Sequence, residues 1–171
     1  AIAKIAGIYM CENYSKSYNL NYKSLMPPNI YGPGDNYNLQ TSHFFPALIK
    51  KITTAKKKNK KSIILWGTGN AKRELMFVED FADALIFFMN RKIKEPFLNI
   101  GTGKSYPIHW FAKFIMRKIG VKLKLKFDRS KPDGMPKKCL DISLAKKYGW
   151  RPQNNLHEGF EITYKDFQKN Y

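Results

Sequence analysis

A mixed α/β fold is predicted by two patterns that alternate along the 171 residues. Short apolar runs closed by glycine, such as "SIILWG" (62–67) and the start of "PFLNIGTGKSY" (96–106), have the length of buried strands. Between them, Phe81, Ala84, Leu85 and Phe88 recur at i, i+3, i+4 and i+7, the period of a helix with one covered face. With 43% hydrophobic and 15% aromatic residues, the chain can bury the core of one ordinary domain.

Taken in order, residues 1–19 read as a helix in which Cys11 is a small buried residue, and "NYKSLM" (21–26) reads as a strand stopped by Pro27-Pro28. "PPNIYGPGD" (27–35) is punctuated by proline and glycine and reads as a loop facing a ligand. "HFFPALIKKITTAKKK" (43–58) is helical, with Pro46 tolerated in the first turn. Strand 62–67 follows, then helix 78–91, whose Glu79, Asp80 and Asp83 suit a helix N-terminus. Beyond the segment 96–106, a short strand ending in a glycine turn, Ile108, Phe111, Ala112, Ile115, Met116 and Ile119 keep helical spacing until Gly120 stops them. "KLKLKF" (122–127) alternates like a half-exposed strand, "DISLAKKYGW" (141–150) holds a short helix ending at Gly149, and Leu156, Phe160, Thr163, Tyr164 and Phe167 share one face of a last helix. The lysine run at 56–61 reads as a loop or helix end.

The formal net charge of +18 is carried largely by lysine: of 31 basic residues only Arg73, Arg91, Arg117, Arg129 and Arg151 are arginine. Forked phosphate and base recognition favours arginine, and the lysines are dispersed, so a solvated face explains the charge better than a nucleic-acid groove does. No apolar run approaches the ~18 residues of a membrane span. Cys11 and Cys139 stand alone without metal-ligand spacing, which argues against a disulfide framework and a structural zinc, and fits a reducing cytoplasm.

Two glycine turns, "GTGNAK" (67–72) and "GTGKSY" (101–106), lack the third glycine of a dinucleotide fingerprint and read as strand-terminating turns. Other segments are more informative. "AIAK" (1–4), "MPPNIYGPGDN" (26–36), "SHFFPALIKK" (42–51), "LWGTGNAKRELMFVEDFADAL" (65–85), "LNIGTG" (98–103) and "SKPDGMPKKCLDISLAKKYGW" (130–150) together resemble the GDP-L-fucose synthase family of extended short-chain dehydrogenase/reductases. The likeness covers essentially the whole chain, and "SHFFPALIKK" and "SKPDGMPKK" are its more specific parts.

The resemblance implies the C-terminal part of a Rossmann fold plus a small α/β substrate-binding domain. Residues 1–35 would end the dinucleotide-binding domain, and 36–171 would be mainly substrate-binding, with 76–106 returning to the first domain. It also implies a C-terminal fragment, because the family's catalytic tyrosine stands four residues before the match to Lys4. Such a fragment alone is expected to be inactive, and its orphaned strand edges to be open to aggregation.

The same resemblance implies site roles. Lys4 would sit beside the tyrosine, lower its pKa and hold the nicotinamide ribose of NADP(H). His43 would be the acid of epimerisation, an imidazole exchanging a proton at carbon beside a ketone, and would lie near the cofactor. Pro27, Pro28, Asn29 and Ile30 would approach the nicotinamide, mostly through backbone. Lys51, Trp66, Arg73 and Lys131 would hold the GDP-sugar, cations flanking a diphosphate. Arginine is common in the family at Lys51, and Trp66 also reads as a core aromatic. His109 and His157 match no motif.

The implied activity of the intact protein is NADPH-dependent 3,5-epimerisation and 4-reduction of GDP-4-keto-6-deoxy-D-mannose, by a homodimer with no nucleic-acid or membrane partner. Another nucleotide-sugar epimerase or dehydratase, and a basic non-catalytic nucleic-acid-binding module, are the alternatives.

Overall fold

A computed structural model describes residues 2–171; Ala1, the first residue of the expected helix, lies outside the described residues. The elements run α1 (Ile2–Tyr18), β1 (Ser24–Met26), β2 (Asn29–Tyr31), α2 (Phe44–Lys57), β3 (Ser62–Trp66), β4 (Lys72–Phe77) and α3 (Val78–Met89). They continue with β5 (Phe97–Asn99), β6 (Ser105–Pro107), α4 (Ile108–Ile119), β7 (Lys124–Asp128), α5 (Ser143–Lys147) and α6 (Leu156–Asn170). The fold is mixed α/β with parallel pairing, as expected.

Strand β4 is the seam of the molecule. It pairs parallel with β2, Asn29 opposite Leu75 and Tyr31 opposite Phe77, and antiparallel with β6, Arg73 opposite Tyr106. Alternate side chains of a strand leave by opposite faces. Accordingly, Leu75 and Phe77 join a core of α2, α4 and α6 residues that includes Phe45, Ile49, Phe111, Ile115 and Phe160. Met76, between them, enters a second core with Ala84, Phe88, Leu98, Ile100, Ala145 and Trp150. Two more parallel pairs complete the sheets: β1 with β5, Leu25 opposite Leu98, and β3 with β7, Trp66 opposite Asp128.

Local signals explain most boundaries. Gly120 ends α4 in the left-handed region at φ 69°, and Asn155 caps α6 by accepting from the His157 and Glu158 N–H groups while Glu158 turns back to the Asn155 N–H. Three expectations are corrected. The segment 27–35 is not all loop, because main-chain pairing with β4 draws 29–31 into a strand. The covered face of α3 runs through Asp80, Ala84 and Phe88 and leaves Leu85 exposed. The cause is Asp80, whose carboxylate is pulled inward by the Gln153 and Asn154 N–H groups at 3.0 and 3.2 Å. Finally, Cys11 is only half-buried, since α1 buries none of its described residues.

Candidate functional site

The chain leaving β2 walls a cleft of about 470 Å³ that includes Pro28, Asn29, Ile30, Asp35 and His43. Asn29 is fixed by its side-chain amide, which donates to the Glu74 carbonyl oxygen at 3.1 Å. The wall is tight at Gly32, where a Cβ would meet Val78 Cγ1 at 2.3 Å. His43 is the N-cap of α2 with extended backbone (φ −66°, ψ 165°), and its exposed imidazole makes no capping bond. Across the cleft, burial pushes the Asp35 carboxyl up, while the Asn36 N–H and the His43 charge act in the opposite direction. Pro27 precedes this wall and does not line it.

A second cluster forms where β3 and β7 end side by side. The Trp66 indole is 63% exposed, which excludes the core reading of this residue. The Lys51 ammonium, reaching over from α2, lies 5.7 Å from the indole centre and 3.5 Å from the Ile64 carbonyl oxygen. Desolvation lowers the Lys51 pKa from its ordinary value. Arg73 is the second residue of β4, and its guanidinium donates to the Lys72, Met135 and Asp133 carbonyl oxygens at 2.8, 2.7 and 3.4 Å.

The loop so gripped carries Lys131, whose N–H donates to the Asp128 carbonyl oxygen at 3.3 Å. Asp133 ties the same loop to the β3–β4 turn, accepting from the Thr68 N–H at 2.7 Å and hydroxyl at 2.6 Å. Those bonds hold its carboxyl below the usual range. Lys51, Trp66, Arg73 and the Lys131 loop are therefore brought to one end of β3 and β4.

Glu74 and Asp133 are structural members of the site that sequence reasoning missed. Glu74 is fully buried; one carboxylate oxygen accepts from the Thr102 and Gly103 N–H groups at 2.6 and 2.8 Å, and the other from the Leu140 N–H at 2.7 Å. A carboxylate directly before the apolar end of the strand, Leu75-Met76-Phe77, was the available signal for Glu74. For Asp133 it was the Pro-Asp-Gly turn.

Lys4 is exposed on α1 and does not line the cleft. His109 Nδ1 lies 3.0 Å from the Gly69 carbonyl oxygen, and His157 packs edge-on against Phe114, consistent with structural roles. Both glycine turns are filled by the chain itself. A Cβ at Gly67 would meet Asp133 Oδ1 at 2.1 Å, and one at Gly101 would meet Glu74 Oε1 at 2.4 Å. Neither turn is an open phosphate cradle. Among the described residues no helix is long and apolar enough to cross a membrane, and no group of three or more metal-ligating side chains occurs.

Residues 1–101 match the model of the NAD dependent epimerase/dehydratase family. A probable GDP-L-fucose synthase 1 from Oryza sativa subsp. japonica is 41% identical over 170 residues, covering 99% of this chain and 52% of that protein. The GDP-L-fucose synthase of Escherichia coli strain K12 is 38% identical over 179 residues, covering 99% and 56%. A GDP-mannoheptose C4 reductase from Campylobacter jejuni, solved with NADP bound, superposes with a TM-score of 0.85 at 30% identity, covering 98% of this chain and 56% of that one. The chain spans about half the length of the curated relatives it matches.

Proposed function

The chain belongs to the NAD dependent epimerase/dehydratase family, and from that premise we propose that it carries the sugar-nucleotide side of a GDP-L-fucose synthase. The reaction is the NADPH-dependent conversion of GDP-4-keto-6-deoxy-D-mannose to GDP-L-fucose, by epimerisation at C3 and C5 and reduction of the C4 ketone. The observation that carries this reading is the cluster at the ends of β3 and β4. There a desolvated ammonium (Lys51) lies against an exposed indole (Trp66), and a guanidinium (Arg73) anchors the loop that carries Lys131. Cations around a flat aromatic face suit a nucleoside diphosphate, the diphosphate offsetting the cost of desolvating Lys51.

His43 is the proton-exchanging group of this reading. Its imidazole is exposed on the cleft wall, free of capping duty, so it can remove a proton from a carbon beside the ketone or return one. Asp35 faces it across the cleft and stabilises the imidazolium that forms.

The cofactor fit is partial and specific. Pro28, Asn29, Ile30 and His43 make a wall suited to a flat nicotinamide, whereas among the described residues no lysine or arginine lines that cleft to receive a pyrophosphate. These residues would hold the nicotinamide of NADPH, which would supply the hydride for the ketone. Pro27 stiffens the wall, and Lys4, exposed on α1, has its ammonium available to hold the nicotinamide ribose. The division into a dinucleotide-binding part (1–35 and 76–106) and a substrate-binding part belongs to the same reading, and the two cores support it. So do a homodimer, supported by the uncovered Ile5, Tyr9 and Met10 of α1, and a cytoplasmic location, supported by two free cysteines.

Calorimetric titration of the purified chain with GDP-L-fucose and with UDP-galactose tests the substrate class. The expected result is a preference for the GDP-sugar of about tenfold or more, and equal affinity overturns the reading. Spanning about half the length of its curated relatives, the 171 residues alone are expected not to oxidise NADPH. Product analysis with a longer form carrying the whole cofactor site separates a fucose synthase from a sister epimerase or dehydratase.

A further inference from the structure

A second cavity, of about 450 Å³, lies between β4, β6 and the first turns of α4 and α6. None of His43, Lys51, Trp66, Arg73 or Lys131 lines it, and no carboxylate does. Its volume is that of a small-molecule pocket.

Three observations indicate a built site. First, Tyr31 is 3% exposed and stands between this cavity and the His43 cleft, and its hydroxyl, which is not fully enclosed, makes no hydrogen bond to the described residues and is free to take one from a ligand. The hydroxyl packs closely on α6 at Gly159, where a Cβ would collide with it. Second, both rims are pinned by buried carboxylates that stay outside the cavity. Asp80 holds Gln153 and Asn154 through their N–H groups and accepts from the Asn154 side-chain amide at 2.9 Å, and Glu74 holds Thr102 through its N–H at 2.6 Å. Third, Tyr106 stacks on Trp110 with ring centres 4.2 Å apart, and no second ring stacks on Tyr106 among the described residues.

We propose that this cavity binds a nucleoside monophosphate, at a site separate from the proposed sugar-nucleotide site. The base stacks on the exposed Tyr106 ring, and the Gln153 amide reads its edge. With its amide N–H engaged by Asp80, Asn154 presents its carbonyl oxygen as an acceptor. The Tyr31 hydroxyl finds its missing partner in the ligand. Lys104, exposed on the rim and in no ion pair among the described residues, takes the single phosphate. His157 lines the same rim, and Glu158, the nearest acidic residue along the chain, is turned back to the Asn155 N–H at 3.3 Å.

The test uses the indole N–H resonances of the isotope-labelled chain, because Trp110 reports this cavity and Trp66 the other site. AMP is titrated to millimolar concentration, with adenosine and inorganic phosphate as separate probes. The expected result is a saturable shift of the Trp110 signal with AMP, weaker with either part alone, and an affinity reduced roughly fivefold by Lys104→Ala and again by Tyr31→Phe. A Trp110 signal that AMP does not move, or an affinity that neither variant changes, overturns the proposal. GDP-L-fucose moving Trp66 in the same sample is an independent result, so the two readings fail separately.

Discussion

The Lys51 ammonium stands 5.7 Å from the centre of the Trp66 indole, on a side chain partly withdrawn from water and paired to no carboxylate among the described residues. A cation held this way destabilises the ligand-free chain. Its folded pKa is lowered, so the neutral form is favoured on folding, and stability is lost as pH falls through the folded value. At neutral pH that loss is in force. Lys51→Met is therefore expected to raise the urea midpoint at pH 7 while weakening GDP-L-fucose binding about tenfold. Lys51→Arg, which supplies a fork, is expected to tighten binding several-fold in the same titration.

Arg73 is expected to resist conservative replacement. Its guanidinium spans the Lys72, Asp133 and Met135 carbonyl oxygens, which one ammonium cannot do. Arg73→Lys should weaken GDP-L-fucose binding about tenfold and speed proteolysis within 129–136, both measurable on one preparation. Unchanged cleavage would mean that Arg73 does not hold the loop.

Glu74 is expected to behave as a structural anion. Glu74→Gln replaces one accepting oxygen by an N–H₂ that must face backbone donors, at Thr102 and Gly103 or at Leu140. The predicted cost is about 2–4 kcal/mol, read from the urea midpoint. Gly101→Ala should destabilise through the same contact, because its Cβ would meet the Glu74 carboxylate.

Asp35 gives a pH signature. Burial raises its pKa, so the folded state binds the proton more tightly than the unfolded chain does, and stability falls as pH rises through the folded value. Asp35→Asn should therefore be more stable than the parent at pH 7. The difference should vanish below about pH 4, where the unfolded carboxyl is protonated too. Denaturation at the two pH values reads the sign directly.

How much of this was legible in the sequence depended on whether a signal was local. Gly120 as a helix stop and the α6 face of Phe160, Thr163 and Phe167 required only nearest turns. The α3 face was misjudged at Leu85 because Asp80 is buried by partners more than 70 residues away, a contact that periodicity does not encode. The proline and glycine around β2 signal a loop, and its strand character comes from pairing with β4. Trp66 looked equally suited to core or ligand until the pairing with β7 turned it outward at 63% exposure. The site motifs were visible as residue types, but the anchoring of Arg73 by carbonyl oxygens of 133 and 135 was not, since backbone acceptors have no sequence signature.

The most direct test of the proposed sugar-nucleotide site is a titration of the chain with GDP-L-fucose, followed at the Trp66 indole N–H in the parent and in Arg73→Ala. The account predicts a saturable Trp66 shift in the parent and an affinity lower by about tenfold or more in the variant. A Trp66 signal that does not move, or one that moves with the same affinity in both proteins, would contradict it.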